Sequence, residues 1–266
     1  MAVEFNHPPP KRLKELVLKQ SELTIHSLIE FIFPSVCSNC LSPIETSNNI
    51  CPACWEDIDF IMPPFCEIKG TPFPFDIEQG TISASALKNP PSYDKARGVA
   101  LYEGTMRELI HKLKYKDRHE LTNLFVNWMK RAGSELLSET DLIIPIPLYK
   151  TRLWQRRFNQ SAILAKRLSQ QTELPYDCST LIRRKKTKSQ VGLTAKERQQ
   201  NLKNAFFIEE TKKEIIEDKS ILLIDDVITT GVTVNTAASI LKSEGASKVY
   251  ILSLAIVSDL TNNNNL

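Results

Sequence analysis

The sequence predicts an α/β protein: a parallel sheet flanked by helices, with a small cysteine-rich ribbon on its N-terminal side. Three observations predict it. Short apolar runs at residues 141–148 and 221–224 end abruptly in loops, as strands buried on both faces of a parallel sheet do. Each run is followed by helical periodicity, at Ala162–Gln170 and Val234–Leu241. Two C-x2-C pairs, Cys37/Cys40 and Cys51/Cys54, stand ten residues apart near the N-terminus.

Composition sets the limits. A chain of 266 residues has room for one sizeable domain plus a small module. Hydrophobic residues make up 42% and charged residues 24%, so the chain has the ordinary composition of a soluble globular protein. Net charge is only +3, so any site for nucleic acid or phosphate has to come from local clustering. No apolar run approaches the ~18 residues of a membrane span. The first ten residues lack a basic segment followed by an apolar one, so no secretory signal is expected and the location is read as cytoplasmic. In a reducing compartment the six cysteines need an explanation other than disulfides.

In chain order, residues 1–34 read as a Pro-rich tail followed by an amphipathic helical stretch from Lys11 to Phe33 that stops at Pro34. Residues 35–70 form the ribbon. Two tight turns, each presenting paired sulfurs, match a tetrahedral four-thiolate Zn2+ site of Cys37, Cys40, Cys51 and Cys54. Four protein ligands close the metal to water, which makes it structural, and for so small a segment the metal supplies most of the folding free energy. Cys66 and Cys178 stand alone and are read as buried thiols. Residues 71–95 read as a Pro-rich linker.

The α/β domain spans residues 96–258. Ala96–Tyr102 is a strand, Thr105–Lys114 a helix with a basic end, and Leu121–Leu137 a second helix. The strand from Asp141 should stop near Pro145 and Pro147, which cannot continue a central ladder. Lys150, Arg152, Arg156 and Arg157 follow its end. In open parallel sheets ligands bind outside the carboxyl ends of the strands, so Lys150 and Arg152 are candidate partners for a pyrophosphate. From Arg183, five of six residues are cationic. That block reads as a mobile loop, with Arg183 and Arg184 able to close over a polyphosphate or to track a nucleic-acid backbone. Residues 259–266 form a low-complexity tail.

The most specific stretch is Lys219 to Val234. Apolar residues Ile221–Ile224 run into Asp225 and Asp226, and then into the turn Thr229-Thr-Gly-Val-Thr233, which opens a helix. A turn at a helix start offers N–H groups and a positive dipole end to an anion. Two carboxylates beside such a cradle suit ribose hydroxyls, or a Mg2+ between sugar and phosphate. The ligand implied is a phosphorylated ribose.

This stretch resembles the signature of type I phosphoribosyltransferases, which bind phosphoribosyl pyrophosphate (PRPP). The resemblance puts Asp225 and Asp226 on the ribose, as the catalytic pair, and Thr229, Thr230, Gly231, Val232 and Thr233 on the 5′-phosphate. The wider chain, from Ile29 to Val257, is similar to the ComF family. Its carriers are Phe33-Pro34 with the two C-x2-C pairs, Leu109-Ile-His-Lys-Leu-Lys-Tyr115, Pro145-Ile-Pro-Leu148, Arg157-Phe-Asn-Gln160 and Asp225-Asp-Val-Ile-Thr-Thr-Gly231. The resemblance implies a type I phosphoribosyltransferase-like sheet with an N-terminal zinc ribbon, and a link to natural competence and DNA uptake. Arg157 stands where that family commonly has glycine. Cys66 stands where many relatives carry another C-x-x-C pair, so this chain lacks a second four-thiolate set.

Two functional readings follow. One is a glycosyltransferase-class enzyme that binds PRPP with Mg2+ and transfers phosphoribosyl to an acceptor the sequence does not name. The other is a competence protein that keeps this fold and binds single-stranded DNA or RNA, using Arg183–Lys188 and the aromatics Tyr115, Trp154 and Phe158 as a stacking surface. A third, weaker reading is a zinc-ribbon adaptor for the competence machinery.

Overall fold

The structure is a computed structural model that describes residues 35–44, 50–115, 121–149, 153–154, 158–184 and 205–257. The expected N-terminal helix, Lys150, Arg152, Arg156, Arg157, most of the cationic block and the C-terminal tail lie outside the described residues. Internal contacts divide the chain into residues 1–52 and 53–266.

Within the first unit, Cys37 opens a tight knuckle. Its N–H donates to Ser42 O at 2.8 Å, and Leu41 N–H returns to Cys37 O at 3.0 Å.

Helix α1 (Pro52–Glu56) starts at the last residue of the first unit and is followed later by α2 (Ala84–Lys88), which lies in the stretch expected as a linker. Then come β1 (Lys95–Leu101), α3 (Gly104–Tyr115), α4 (Leu121–Ala132), α5 (Ser134–Ser138) and β2 (Leu142–Pro145). Next follow α6 (Gln160–Thr172), β3 (Leu181–Arg183), β4 (Phe206–Ile208), a 3-10 turn at Glu210–Ile215, β5 (Ser220–Ile228), α7 (Val232–Ser243) and β6 (Lys248–Ile256).

Four strands form one parallel sheet in the order β1-β6-β5-β2. The two longest strands, β5 and β6, are central, and their inner residues are buried on both faces. That burial explains their unbroken apolar composition. Side chains alternate across the sheet. Ile221 and Leu223 point to the face where Val234, Ala237, Ala238 and Leu241 of α7 pack together with Leu181, Phe206 and Ile208 of the β3–β4 hairpin. Leu222 and Ile224, equally buried, point to the opposite face, where α4 and α6 lie against the sheet and each other.

Both sheet edges are covered, which removes the hazard of an open edge. Residues 59–68 run along β1, with Ile61 N–H on Val99 O at 3.0 Å and Ala96 N–H on Ile68 O at 2.7 Å. Along β2, Ile143 N–H donates to Pro175 O at 2.9 Å and Asp177 N–H to Ile143 O at 3.0 Å.

The expected fold class is the observed one, with three local differences. The helix expected over Leu121–Leu137 breaks at Gly133, whose backbone leaves helical geometry at φ −105° and ψ 18°; glycine is required there because a Cβ would sit 2.7 Å from Leu252 Cδ2. Strand β5 runs through Ile228, so Asp225 and Asp226 belong to the strand and not to the loop after it. Arg183 lies in β3, held in an antiparallel hairpin with β4.

Candidate functional site

The carboxyl end of β5 gathers residues from three helices. Asp226 Oδ2 lies 3.0 Å from Lys114 Nζ at the end of α3, and both side chains are mostly buried. Ser161 Oγ, in the first turn of α6, donates to Asp225 Oδ1 at 3.2 Å. Asp225 Oδ1 also accepts the Asp226 N–H at 2.9 Å. The turn after β5 delivers Gly231 as the N-cap of α7, at φ 71°.

The local sequence explains this convergence. Asn159 caps α6, accepting the Ser161 N–H at 3.1 Å, while its own amide donates to Ile146 O at 3.0 Å just past β2. Gln160, almost fully buried, donates to Lys114 O at 3.4 Å. Three consecutive residues thus join the ends of β2, α3 and β5. Asn159 and Gln160 of the family-like motif fix the ends of β2 and α3, and Ser161 directly after them reaches the acid pair. Gly231 sits in the left-handed region, which a glycine adopts without strain, and this lets the chain turn sharply from β5 into α7.

The electrostatics follow from the geometry. Burial first, and then the charge of Asp226, push the Asp225 carboxyl up to about 7. The Asp226 N–H, the Lys114 charge and the Ser161 hydroxyl pull in the opposite direction. Lys114 neutralises one of two adjacent carboxylates, so the pair is not left as two uncompensated charges. Beyond it, α7 leaves first-turn N–H groups without intrahelical partners, and no side chain caps them from Gly231.

Of the sequence-predicted residues, Asp225, Asp226, Thr229, Thr230, Gly231, Val232 and Thr233 share this one rim as a continuous strand-turn-helix. Arg183 and Arg184 stand at the end of β3 with their guanidinium carbons 5.3 Å and 3.5 Å above the Phe206 and Phe207 rings. Lys114 and Ser161 were not among the residues predicted. Their only sequence signal is position, Lys114 inside and Ser161 directly after a family-like segment. An apolar cavity of about 470 Å3, bounded by Trp55, Phe60, Met62, Trp128 and Arg131 among others, lies away from the acid pair.

The cysteine cluster takes the predicted form. The sulfurs of Cys37, Cys40, Cys51 and Cys54 all lie within 4.8 Å of one another, and none is in a disulfide. Sulfurs about 2.3 Å from a common centre in a tetrahedron fall within that limit, so the donor set fits a structural zinc ion. Cys66 is buried as expected, whereas Cys178 is exposed. Among the described residues no helix is long and apolar enough to cross a membrane.

Comparison with known proteins agrees with both parts. Residues 28–86 match the double zinc ribbon domain family, and residues 159–262 match the phosphoribosyl transferase domain family. The chain is 32% identical over 227 residues to Competence protein F of Haemophilus influenzae, covering 82% of this chain and 96% of that one. It is 30% identical over 226 residues to DNA utilization protein YhgH of Shigella flexneri, covering 82% and 95%. To Competence protein ComFC of Bacillus subtilis it is 26% identical over 205 residues, covering 76% and 81%. With a zinc-ribbon cysteine set, a phosphoribosyltransferase-type domain and identity spread over most of its length, the chain belongs to the ComF family of competence and DNA utilization proteins.

Proposed function

We propose that the rim at the carboxyl end of β5 binds PRPP with Mg2+, and that the protein is a phosphoribosyltransferase whose acceptor is unassigned. The observation that carries this reading is the juxtaposition of a paired carboxylate, one member neutralised by Lys114, with a helix N-terminus whose N-cap, Gly231, offers no side chain to it. Asp225 and Asp226 accept hydrogen bonds from the ribose hydroxyls. Thr229–Thr233 and the first-turn N–H groups of α7 hold the 5′-phosphate. Asp225 and Asp226 would be the carboxylates that hold Mg2+, which would supply charge neutralisation for the phosphates. Arg183 and Arg184 are the described cations assigned to the leaving pyrophosphate, and Lys150 and Arg152, outside the described residues, are assigned to it from sequence alone. The acid pair stabilises positive charge that develops on the sugar as its bond to pyrophosphate lengthens.

Calorimetric titration of PRPP with Mg2+ tests the reading. Saturable binding is expected in the wild type and a loss of at least tenfold in Asp225→Ala and Asp226→Ala. No heat, or unchanged affinity in both variants, overturns it.

A second reading, binding of single-stranded nucleic acid, rests on Trp154, which is 88% exposed just past β2. Aromatic faces of this kind stack on unpaired bases. The names of the relatives, competence and DNA utilization proteins, point to the same ligand class. A salt series of single-stranded DNA binding distinguishes it. A steep salt slope and weaker binding in Trp154→Ala support it, and a flat response sinks it.

A further inference from the structure

The double zinc ribbon match runs to residue 86 and so implies a second metal, yet between Cys54 and that point the chain has only Cys66. The backbone builds the second ribbon all the same. In the first knuckle, Val36 bridges Pro43, Cys37 N–H donates to Ser42 O at 2.8 Å, Leu41 N–H donates to Cys37 O at 3.0 Å, and Leu41 has φ 66°. The same pattern recurs further along. Phe65 bridges Pro72, Cys66 N–H donates to Thr71 O at 2.8 Å, Gly70 N–H donates to Cys66 O at 2.8 Å, and Gly70 has φ 65°.

The partner half repeats as well. Cys51 directly precedes α1 and donates its N–H to Cys37 Sγ at 3.3 Å. Ser83 directly precedes α2 and donates its N–H to Cys66 Sγ at 3.3 Å. Both helices have five residues, with Cys54 third in one and Ala86 third in the other. The four ligand positions of the first ribbon, Cys37, Cys40, Cys51 and Cys54, therefore correspond to Cys66, Lys69, Ser83 and Ala86.

Those four residues do not fit a metal. An ammonium repels a cation, a methyl group has no donor, and one thiol with one hydroxyl makes half a ligand set. We propose that residues 63–88 form a second ribbon that folds without metal, in which hydrogen bonds do the cross-linking that an ion performs in the first.

The substitutes are visible. Cys66 Sγ accepts N–H groups from Lys69 at 3.5 Å and Ser83 at 3.3 Å, tying the two halves together. Lys69 Nζ, at a ligand position, reaches across to Ser85 Oγ in α2 at 3.0 Å. Ser83 caps α2 by accepting the Ala86 N–H at 3.3 Å. The knuckle is also fastened to β1. The buried Arg97 donates to Glu67 O at 2.8 Å and Glu67 Oε2 at 3.1 Å, and Lys95 lies 2.8 Å from Glu67 Oε1. The chain needs metal in one ribbon only, and chelation leaves the covering of the sheet edge by residues 59–68 intact.

Metal content of the full-length protein tests this. One zinc per chain is expected in the wild type and in Cys66→Ser, and none in Cys40→Ser. Two zincs in the wild type, or loss of zinc in a folded Cys66→Ser, overturns the proposal. The triple variant Lys69→Cys/Ser83→Cys/Ala86→Cys restores the donor set and is expected to raise the count to two, with thiolate-to-metal bands on Co2+ substitution. A folded triple variant that still binds one ion shows that the frame is not a ribbon and also overturns it. If that variant does not fold, the wild-type and Cys66→Ser counts decide. Hydrogen exchange gives an independent reading. Removing zinc with a chelator should leave the amides of Ala96, Gly70 and Ser83 as protected as before, and exchange of all three at the unfolded rate is the contrary result.

Discussion

Lys114 Nζ lies 3.0 Å from Asp226 Oδ2, so the acid pair at the end of β5 is tied to the last turn of α3 by a mostly buried ion pair. An ammonium in that position lowers the charge that the carboxylates present to an incoming phosphate and helps to keep Asp225 ionisable. Replacing it with Met should weaken PRPP binding about tenfold, or ~1.4 kcal/mol, and raise the Asp225 carboxyl further. Calorimetry on Lys114→Met checks this. Tighter binding would show that the lysine blocks the site instead of preparing it.

The raised Asp225 carboxyl gives stability, and the proposed PRPP binding, a pH dependence. Its folded value is about 7, against 3.8 for the unperturbed group. Between those values the folded state keeps a proton that the unfolded chain has lost. This group's contribution to stability therefore falls as pH rises from about 4 to about 7 and is level above that. Asp225→Asn should stabilise the fold at pH 8 by roughly 2 kcal/mol, because the neutral amide has no buried charge to desolvate. Urea unfolding at pH 5 and pH 8 measures the difference. PRPP affinity should run in the opposite sense, increasing through pH 7 as the carboxylate forms. Asp226→Asn should move that midpoint to lower pH.

Gly231 turns the chain at φ 71° with open space where a Cβ would stand, its nearest contact being Ile228 Cγ2 at 3.9 Å. The penalty of a side chain there is therefore backbone strain and not collision. Gly231→Ala should cost about 1–2 kcal/mol of stability and weaken phosphate binding by displacing the first-turn N–H groups. Thermal unfolding and inorganic phosphate titration together test this. Unchanged values in both would mean that the turn tolerates L-residues.

The zinc ribbon and the sheet should separate on metal removal. The apolar core around β2, β5, β6 and α7 contains no cysteine. Cys51→Ser should abolish most zinc binding while preserving the far-ultraviolet circular dichroism of the α/β domain. Global unfolding of the variant would show that the metal holds the whole chain.

Much of this was legible in the residues. Ile221–Ile224 announced a strand buried on both faces because so short an apolar run, closed by a Thr/Gly turn, is of strand and not of helix length. The spacing of Cys37, Cys40, Cys51 and Cys54 announced the metal cluster, since paired thiols on two tight turns have few other uses in a reducing environment. Arg183 was harder. Its cationic neighbours suggested a loop, but the partner that makes it a strand, Phe206, is distant in sequence and gives no local sign. Gly133 likewise interrupts a helix whose periodicity is continuous, and the residue that leaves no room for a side chain there, Leu252, lies on a strand from the far end of the chain.

By itself the sequence determined the local chemistry of this protein: the acidic strand end, the glycine turn, the four thiolates and the alternation of strands and helices. Those features depend on neighbours a few residues away, and such neighbours are written in order. Tertiary structure alone decided that Lys114 neutralises Asp226, that Ser161 binds Asp225, and that Lys69, Ser83 and Ala86 occupy the frame of a second ribbon. The first two are contacts between segments whose approach is set by packing against the sheet, and no residue spacing records them; in the third the Cys66–Lys69 spacing is legible, but the approach of Ser83 and Ala86 to it is set by the fold.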